Sequence, residues 1–318
     1  MAQPGADQPP KGSALRSFLG LFTISGSVGY GATFASHKLN GPALITNPGS
    51  ATLMFDGNAP VGDTIAVAYA NWMAFPQTVN GVPVDSNSFL LRTDTAAIKY
   101  RSVGQQLPVN LSVHITIDRY RIGGGFSFEP YFTGRYKPDN FKSELGTFRP
   151  AYNLSHYTRW YGLLGVEVFR SKRYTLVVEA TVGTYKLKKK DYNPDIIKRS
   201  IFFNLGARFE KSLSEYVRLF ARPAFEYKNY TITSPESGVA LTQQLPAFYF
   251  TLGLSWRLPD LRRCPIGNCH TQKDHHHGGK VYRSRMHPFW KWQDPDYGEN
   301  YPRLIRYKGK NKRKLNPY

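Results

Sequence analysis

Bulky apolar and small polar side chains alternate along extended segments of this chain. From Phe22 to Phe34 the apolar residues share one parity, and serine, threonine and glycine occupy the other. A period of two residues places alternate side chains on opposite faces of a β-strand. The segment therefore predicts a long strand with one bulky apolar face and one small polar face.

The same alternation recurs later in the chain, and short connections alternate with long ones. The further segments are 109–117, 122–132, 160–168, 174–182, 201–209, 217–225 and 248–256. The short connections lie near 119, 171 and 213, and the long ones span 36–106, 137–156, 187–199 and 231–246. Outer-membrane barrels have short turns on one side and long loops on the other. A β-sandwich lacks this asymmetry, and a lipocalin-like barrel would have to hold the many aromatic side chains inside. We therefore predict an all-β fold, an antiparallel up-and-down transmembrane β-barrel of about eight strands with an extended C-terminal tail.

Composition agrees with membrane strands and disagrees with membrane helices. The 318 residues include 21 Tyr and 20 Phe, which suit strands and the aromatic girdles at a membrane interface. No run of 18 apolar residues occurs, which excludes an ordinary transmembrane helix. The mean hydropathy of −0.43 is compatible with a barrel, because alternating strands average to a polar value.

The last alternating segment ends in Gly253-Leu254-Ser255-Trp256-Arg257-Leu258. This stretch is similar to the glycine-x-x-aromatic-x-hydrophobic signal by which the barrel-assembly machinery recognises a final strand. Together with the strand pattern, it makes residues 21–258 resemble the small eight-stranded outer-membrane barrels of the OmpA/OmpX/OmpW-like group. The resemblance implies a location in the outer membrane of a Gram-negative bacterium. In that group the signal usually ends the chain, whereas here residues 259–318 follow it.

Charged side chains fall on the small, polar parity, which would face a narrow lumen. An eight-stranded barrel is just wide enough for side chains to fill, and an unpaired buried charge is costly. The pattern therefore predicts a salt-bridged plug, with a gated ion path as the alternative. The predicted lumen residues are His114, Glu129, Arg135, Arg159, Glu167, Glu179, Arg208, Arg218, Arg222 and Glu226.

A serine and a histidine, Ser155 and His156, are neighbours near the predicted outer rim. Some barrels that resemble this chain cleave lipids or proteins with serine, histidine and acidic groups near that rim. Adjacent residues of a strand point to opposite faces, so these two cannot readily form a nucleophile and its base. We therefore predict no catalytic residues and no enzymatic activity.

The connection 36–106 is too long for a simple loop. It contains two strand-like stretches, Thr64–Ala70 and Ala96–Arg101. These predict short strands above the membrane, or a further transmembrane hairpin that would raise the count to ten strands. We expect this long extracellular loop to cap the barrel mouth or to bind a partner, and the sequence leaves both open.

Three regions follow from the pattern. Residues 1–17 are expected to form an N-terminal periplasmic segment, 18–258 the outer-membrane barrel and 259–318 a basic, aromatic tail. The opening residues Met1–Gly5 lack the basic and apolar parts of a signal peptide, so we interpret the numbering as starting near the mature N-terminus. An even number of strands returns the chain to the side on which it began, which predicts a periplasmic tail.

The tail is basic, in a chain whose formal net charge is +20 and whose pI is near 9.9. Nucleic acid is the usual partner of such a cluster, but a periplasmic location argues against it. Anionic lipid, acidic proteins or the cell-wall polymer fit that location better. Bulky residues among prolines are typical of an extended segment that orders on a partner. The predicted partner-binding residues are Phe289, Trp290, Trp292, Tyr297, Tyr301, Arg303, Arg306 and Tyr307.

The chain has two cysteines, Cys264 and Cys269, and they lie near several histidines in sequence. In an oxidising periplasm the two thiols can form a disulfide. Alternatively, they bind zinc tetrahedrally together with two imidazoles. The spacing does not decide between these. The histidines near enough in sequence are His270, His275, His276, His277 and His287, and the predicted disulfide or metal site comprises Cys264, Cys269, His270, His275 and His277.

The predicted barrel is plugged, and it carries a potential partner-binding segment on each side of the membrane, the loop 36–106 and the tail 259–318. We therefore predict a non-enzymatic accessory or scaffold subunit of a larger outer-membrane complex, for barrel assembly or protein secretion. Its expected partners are outer-membrane lipid and other outer-membrane or periplasmic proteins. A small channel for ions or small solutes is the alternative. An adhesin or surface-stability protein acting alone is a third hypothesis.

Overall fold

The structure is a computed structural model, and antiparallel β-strands make up most of it. It describes residues 14–285 except 40, 74–75, 93–97, 149, 151–152, 172, 192, 194, 196, 200, 234–239, 260, 270 and 272–273. One short helix, α1 (Ala14–Gly20), precedes the first strand. Among the described helical residues there is no helix that is long and apolar enough to cross a membrane.

The strands are numbered in chain order. They are β1 (Phe22–Leu39), β2 (Pro42–Thr46), β3 (Leu53–Asp56), β4 (Thr64–Ala70), β5 (Gln77–Pro83), β6 (Phe89–Arg92), β7 (Ile98–Gln106), β8 (Val109–Ile117), β9 (Tyr120–Phe132), β10 (Lys137–Pro138), β11 (Leu154–Arg170), β12 (Tyr174–Leu187), β13 (Ile197–Arg199), β14 (Phe202–Ser212), β15 (Val217–Tyr227), β16 (Asn229–Thr233), β17 (Ala240–Gln244), β18 (Ala247–Arg257), β19 (His275–His277) and β20 (Lys280–Tyr282).

Eight of the described strands form a closed ring of antiparallel pairs. The ring runs β1-β8-β9-β11-β12-β14-β15-β18 and returns to β1. At the closure, Val28 of β1 lies opposite Leu252 of β18 on one side and Val109 of β8 on the other. Closure leaves no unpaired edge. The predicted all-β antiparallel fold is confirmed.

Two further strands, β7 and β17, lengthen the wall of the ring at one end, and a proline separates each of them from the ring strand that it continues. β7 continues β8 along the upper half of β1, and β17 continues β18 along the same half. Pro108 and Pro246 stand at the two breaks, because proline has no N–H to donate to a ladder. Their carbonyl oxygens still accept hydrogen bonds from Gly29 N at 3.0 Å and Phe34 N at 2.8 Å. Because β7 belongs to the same wall as β8, the described part of 36–106 adds no further hairpin to the ring.

The remainder of the first long connection folds as a separate sheet. Its strand order is β5-β4-β3-β2-β6, and it includes the stretch Thr64–Ala70 that was predicted to be a strand. We call this sheet, residues 42–92, the outer sheet. One face buries its own apolar cluster, which includes Ile45, Phe55 and Ile65. The other face packs through Leu44, Met54, Trp72 and further residues against the extended strands of the ring. The outer sheet therefore sits on one end of the ring.

Bulky apolar side chains cover the outside of the ring. Val28 is 61 % exposed, Trp160 63 % and Leu164 62 %, although all three lie in the middle of long strands. The corresponding outward positions on all the remaining strands of the ring are also exposed and apolar. A continuous apolar surface of this extent is far larger than soluble proteins leave open to water.

The residues that precede β1 and those that follow β18 lie together at the end of the ring that carries the short turns. Arg16 Nε donates to the carbonyl oxygen of Pro259 at 2.8 Å, and Arg257 Nε donates to the carbonyl oxygen of Gly20. The backbone N–H of Arg257 also donates to Tyr216 O in the β14–β15 turn at 2.9 Å. The N-terminal helix and the start of the tail therefore lie together at this end, opposite the outer sheet.

Substituting Gly183 by alanine should destabilise the ring. A Cβ atom there would meet the carbonyl oxygen of Trp160 on the paired strand more closely than Cβ atoms approach backbone. We expect the free energy of unfolding to fall by about 1–3 kcal/mol, measured by urea titration in detergent micelles. Gly26 is the matched control, since a Cβ there meets nothing within 4 Å. Equal stability of Gly183→Ala and Gly26→Ala would contradict the packing of β11 on β12.

Candidate functional site

The lumen contains a chain of buried ion pairs, and its first part surrounds Glu210 near the short turns. Arg121 forms a bidentate ion pair with the Glu210 carboxylate, and both nitrogen–oxygen distances are 2.7 Å. Arg208 Nε lies 2.7 Å and Arg218 Nη1 3.2 Å from the same carboxylate. Bidentate guanidinium–carboxylate pairs are among the strongest ion pairs, so Glu210 joins three strands of the ring, β9, β14 and β15.

Glu179 lies in the middle of the lumen and links the lower pairs to the upper ones. Its carboxylate is 3.2 Å from Arg222 Nε and 3.5 Å from Arg208 Nη1. Arg222 also donates to Asn204 Oδ1 at 2.7 Å, and Asn204 Nδ2 donates to Glu226 Oε2 at 3.2 Å. Polar contacts therefore run along the lumen without a break at this level.

The upper part of the lumen centres on two carboxylates, Glu129 and Glu226. Arg159 lies between them, 3.0 Å from Glu129 Oε2 and in direct contact with Glu226. Lys228, which is fully buried, donates from Nζ to Glu226 Oε1 at 3.0 Å and to the hydroxyl of Tyr249 at 3.2 Å. The Tyr249 hydroxyl in turn contacts Glu129.

These side chains point into the lumen, and one cavity of about 60 Å³ lies beside Arg159, Glu179, Asn204 and Arg222, which is room for a few water molecules. We call the whole set the lumen network. Among the described residues it comprises six cations, Arg121, Arg159, Arg208, Arg218, Arg222 and Lys228, and four carboxylates, Glu129, Glu179, Glu210 and Glu226. Six cations against four carboxylates leave two positive charges in excess.

The structure places seven of the ten predicted lumen residues in the network, and the exceptions are Arg135, Glu167 and His114. Arg135 is exposed and lies beyond the end of β9, so its placement in the lumen was wrong, because parity fixes a direction only within a strand. Glu167 has a buried side chain but pairs with Arg170 at the short-turn rim, with Nε–Oε1 2.5 Å. His114 is buried on the interior side of β8.

Sequence reasoning missed Arg121, Glu210, Lys228 and Tyr249. The first three continue the interior parity of β9, β14 and β15, and they lie within three residues of the ends of the predicted alternating segments. Continuing the parity to the turns would have found them. Tyr249 was hidden among the aromatic residues of the last strand, where its inward parity distinguishes it from Phe248 and Phe250.

Ser155 and His156 point to opposite sides of β11. Ser155 is buried, whereas the His156 ring stacks on Phe128 with centroids 5.3 Å apart. The two side chains therefore do not face each other, as the strand alternation predicts.

The tail begins with a compact group of cysteines and histidines. Cys264, Cys269, His275 and His277 each offer one ligand atom, and these four atoms lie within 4.8 Å of one another. Cys269 Sγ is 3.1 Å from His275 Nε2 and 3.4 Å from His277 Nε2, and neither cysteine is in a disulfide. His270 and His287, and the partner-binding residues predicted between Phe289 and Tyr307, lie outside the described residues.

Comparisons with known proteins add little beyond this geometry. No protein-family model matches the chain, and no curated protein matches it. Several solved structures can be superposed on it. The outer membrane protease OmpT from Escherichia coli is 9% identical, with 74% of this chain and 96% of that chain covered and a TM-score of 0.30. The outer membrane protein AlkL is 14% identical, with 80% and 95% covered and a TM-score of 0.34. The outer membrane protein OprG from Pseudomonas aeruginosa is 9% identical, with 73% and 95% covered and a TM-score of 0.28. At such low identities and TM-scores these likenesses carry no argument, so the fold is argued from the closed ring itself.

Neutralising Glu226 should destabilise the chain strongly. Glu226→Gln leaves Arg159 and Lys228 short of a buried countercharge, and breaking a buried pair typically costs about 3–5 kcal/mol. We expect the urea midpoint in detergent to fall accordingly. The matched control is Glu167→Gln, whose partner Arg170 has a side chain 62% exposed, so its expected cost is about 0–1 kcal/mol. If both variants lose the same stability, the lumen network does not hold the ring together.

Proposed function

We propose that this chain is an outer-membrane protein of a Gram-negative bacterium whose ring of strands crosses the bilayer. The observation that carries the proposal is the continuous apolar surface around the ring, combined with a charged interior. This is the reverse of a soluble barrel, in which apolar side chains fill the inside. In a bilayer the closed ring satisfies its backbone hydrogen bonds internally, and lipid covers the apolar side chains.

We further propose that the barrel is a closed anchor. The lumen network links side chains from both ends of the interior, and the cavity beside Arg159 and Arg222, of about 60 Å³, has room for only a few waters. Outside the ring, the outer sheet lies at one end, and the group of cysteines and histidines at the start of the tail lies at the other. An anchor that presents these two units fits the distribution of structure better than a permanently open pore does.

The direction of insertion follows from the turns. Outer-membrane barrels keep their short turns on the periplasmic side, so we place α1 and the tail in the periplasm and the outer sheet outside the cell. A scaffold role in barrel assembly or protein secretion would depend on the partner-binding residues predicted after 286, and it remains a prediction.

Transport is the second candidate function, and the charge balance of the lumen favours it specifically. The lumen network carries two more cations than carboxylates, and this net positive charge would attract small anions once the ion pairs separate. In that case the lumen network is a gate, and the barrel is a small channel for ions or small solutes.

Contact with lipid can be measured through Trp160. In vesicles with brominated acyl chains, bromine should quench the emission of Trp160, because its side chain points outward from the ring. The Trp160→Phe variant should lose that part of the quenching. The control is Trp72→Phe, since Trp72 is buried between the outer sheet and the ring and should not contribute. Quenching that is unaffected by Trp160→Phe would contradict the membrane placement.

Planar bilayer recording separates the anchor from the channel. The wild-type protein should show no steady current if the lumen network is a plug. Removing one whole pair by Arg159→Ala with Glu226→Ala should produce open events, since the cavity widens without leaving a lone charge. Removing the rim pair by Glu167→Ala with Arg170→Ala is the control and should leave the bilayer silent. Steady wild-type conductance would overturn the anchor and support transport.

A further inference from the structure

We propose that Cys264, Cys269, His275 and His277 bind one structural Zn²⁺ ion at the start of the tail. The site is of the closed Cys₂His₂ type, in which four protein ligands leave no position for substrate. Its ligand atoms are Cys264 Sγ, Cys269 Sγ, His275 Nε2 and His277 Nε2. The proposal is independent of the function assigned to the barrel.

The distances between the ligand atoms fit a tetrahedral ion. Zinc bonds of about 2.0–2.3 Å to nitrogen and sulfur place neighbouring ligand atoms roughly 3.3–3.8 Å apart in a tetrahedron. Cys269 Sγ lies 3.1 and 3.4 Å from the two imidazole nitrogens, and all four atoms fall within 4.8 Å of one another. The side chains are therefore already gathered around one centre, and small movements would complete the coordination.

The backbone explains why two of three consecutive histidines are ligands. His275 and His277 lie on one face of β19, and His276 lies on the other, because strand side chains alternate. His275 is buried and His276 is exposed. Gly278 and Gly279, with φ +56° and +74°, form the two-residue turn to β20. Two successive positive φ angles are typical of a tight hairpin and favour glycine.

The segment that holds these residues has little else to stabilise it. None of the four apolar clusters found among the described residues includes a residue between 261 and 285. The buried side chains among its described residues are instead Cys264, Cys269, His275 and Ser284. A segment this small generally needs a disulfide or a metal to hold its shape. A disulfide between the cysteines would not explain two imidazole nitrogens directed at Cys269 Sγ, whereas a shared zinc ion does.

The site would fix the direction in which the tail leaves the barrel. Cys264 N donates to Arg283 O at 3.0 Å, and Arg283 N donates to Arg262 O at 2.8 Å, which joins both ends of the segment. The Arg283 guanidinium lies 5.8 Å from the centre of the Tyr216 ring in the β14–β15 turn. Zinc would therefore hold a unit that rests on the short-turn end of the ring.

Zinc analysis of the full chain tests the proposal. The protein is purified in detergent without a polyhistidine tag and dialysed. We expect about one zinc per chain, as in other Cys₂His₂ sites, and cobalt exchange should give the absorption of a tetrahedral thiolate complex. Cys264→Ser and His277→Ala should each lose the metal, and a protease should then cut 261–285 faster. Heat-modified mobility on gels reports the barrel separately, so a variant that fails to fold is recognised.

His276→Ala is the matched control and should retain zinc, because this side chain faces away from the site. Thiol titration of the denatured, unreduced protein gives the decisive contrast. Two reactive thiols per chain accompany zinc, and none would identify a disulfide. A metal-free protein with a disulfide would overturn the proposal, as would metal loss in His276→Ala equal to that in His277→Ala.

Discussion

The pairing of β1 with β18 is the interaction on which the rest of the structure depends. It turns a row of strands into a ring, and a ring has no edge to offer to another chain. β1 is long enough to pair with β18 and β8 in its lower half and with β17 and β7 in its upper half. The same strand therefore closes the barrel and supports the platform on which the outer sheet rests.

Closure at eight strands also determines the interior. The ring is too narrow for a wide aqueous lumen, so charged side chains on the inner parity are removed from bulk water. Removal from water is costly for each ion, and only close pairing offsets that cost. Glu210, Glu179 and Glu226 lie at successive levels and each contacts more than one cation. The interior is thus a set of shared pairs across the ring, which is the physical basis for a closed barrel.

The two ends of the ring carry units with different sources of stability. The outer sheet has an apolar cluster of its own and a second apolar face that packs on the ring, so the hydrophobic effect suffices there. The described residues of 261–285 belong to no such cluster, and those of them that are buried are mainly potential metal ligands. The conformation of this segment therefore depends on contacts with the short-turn end and on what joins Cys264, Cys269, His275 and His277.

The sequence by itself determined the strands and their faces, because a two-residue period is a local property of the chain. It therefore predicted the inward direction of residues such as Glu179 and Glu226, and the short turns between strands. It could not decide which charges pair, because Arg121 and Glu210 are 89 residues apart and meet only across the closed ring. It also left the 36–106 segment open between a hairpin and a cap, since strand-like stretches do not reveal their partners. Only the tertiary structure brought His275 and His277 together with Cys264 and Cys269, because that grouping depends on how β19 is oriented toward the two cysteines.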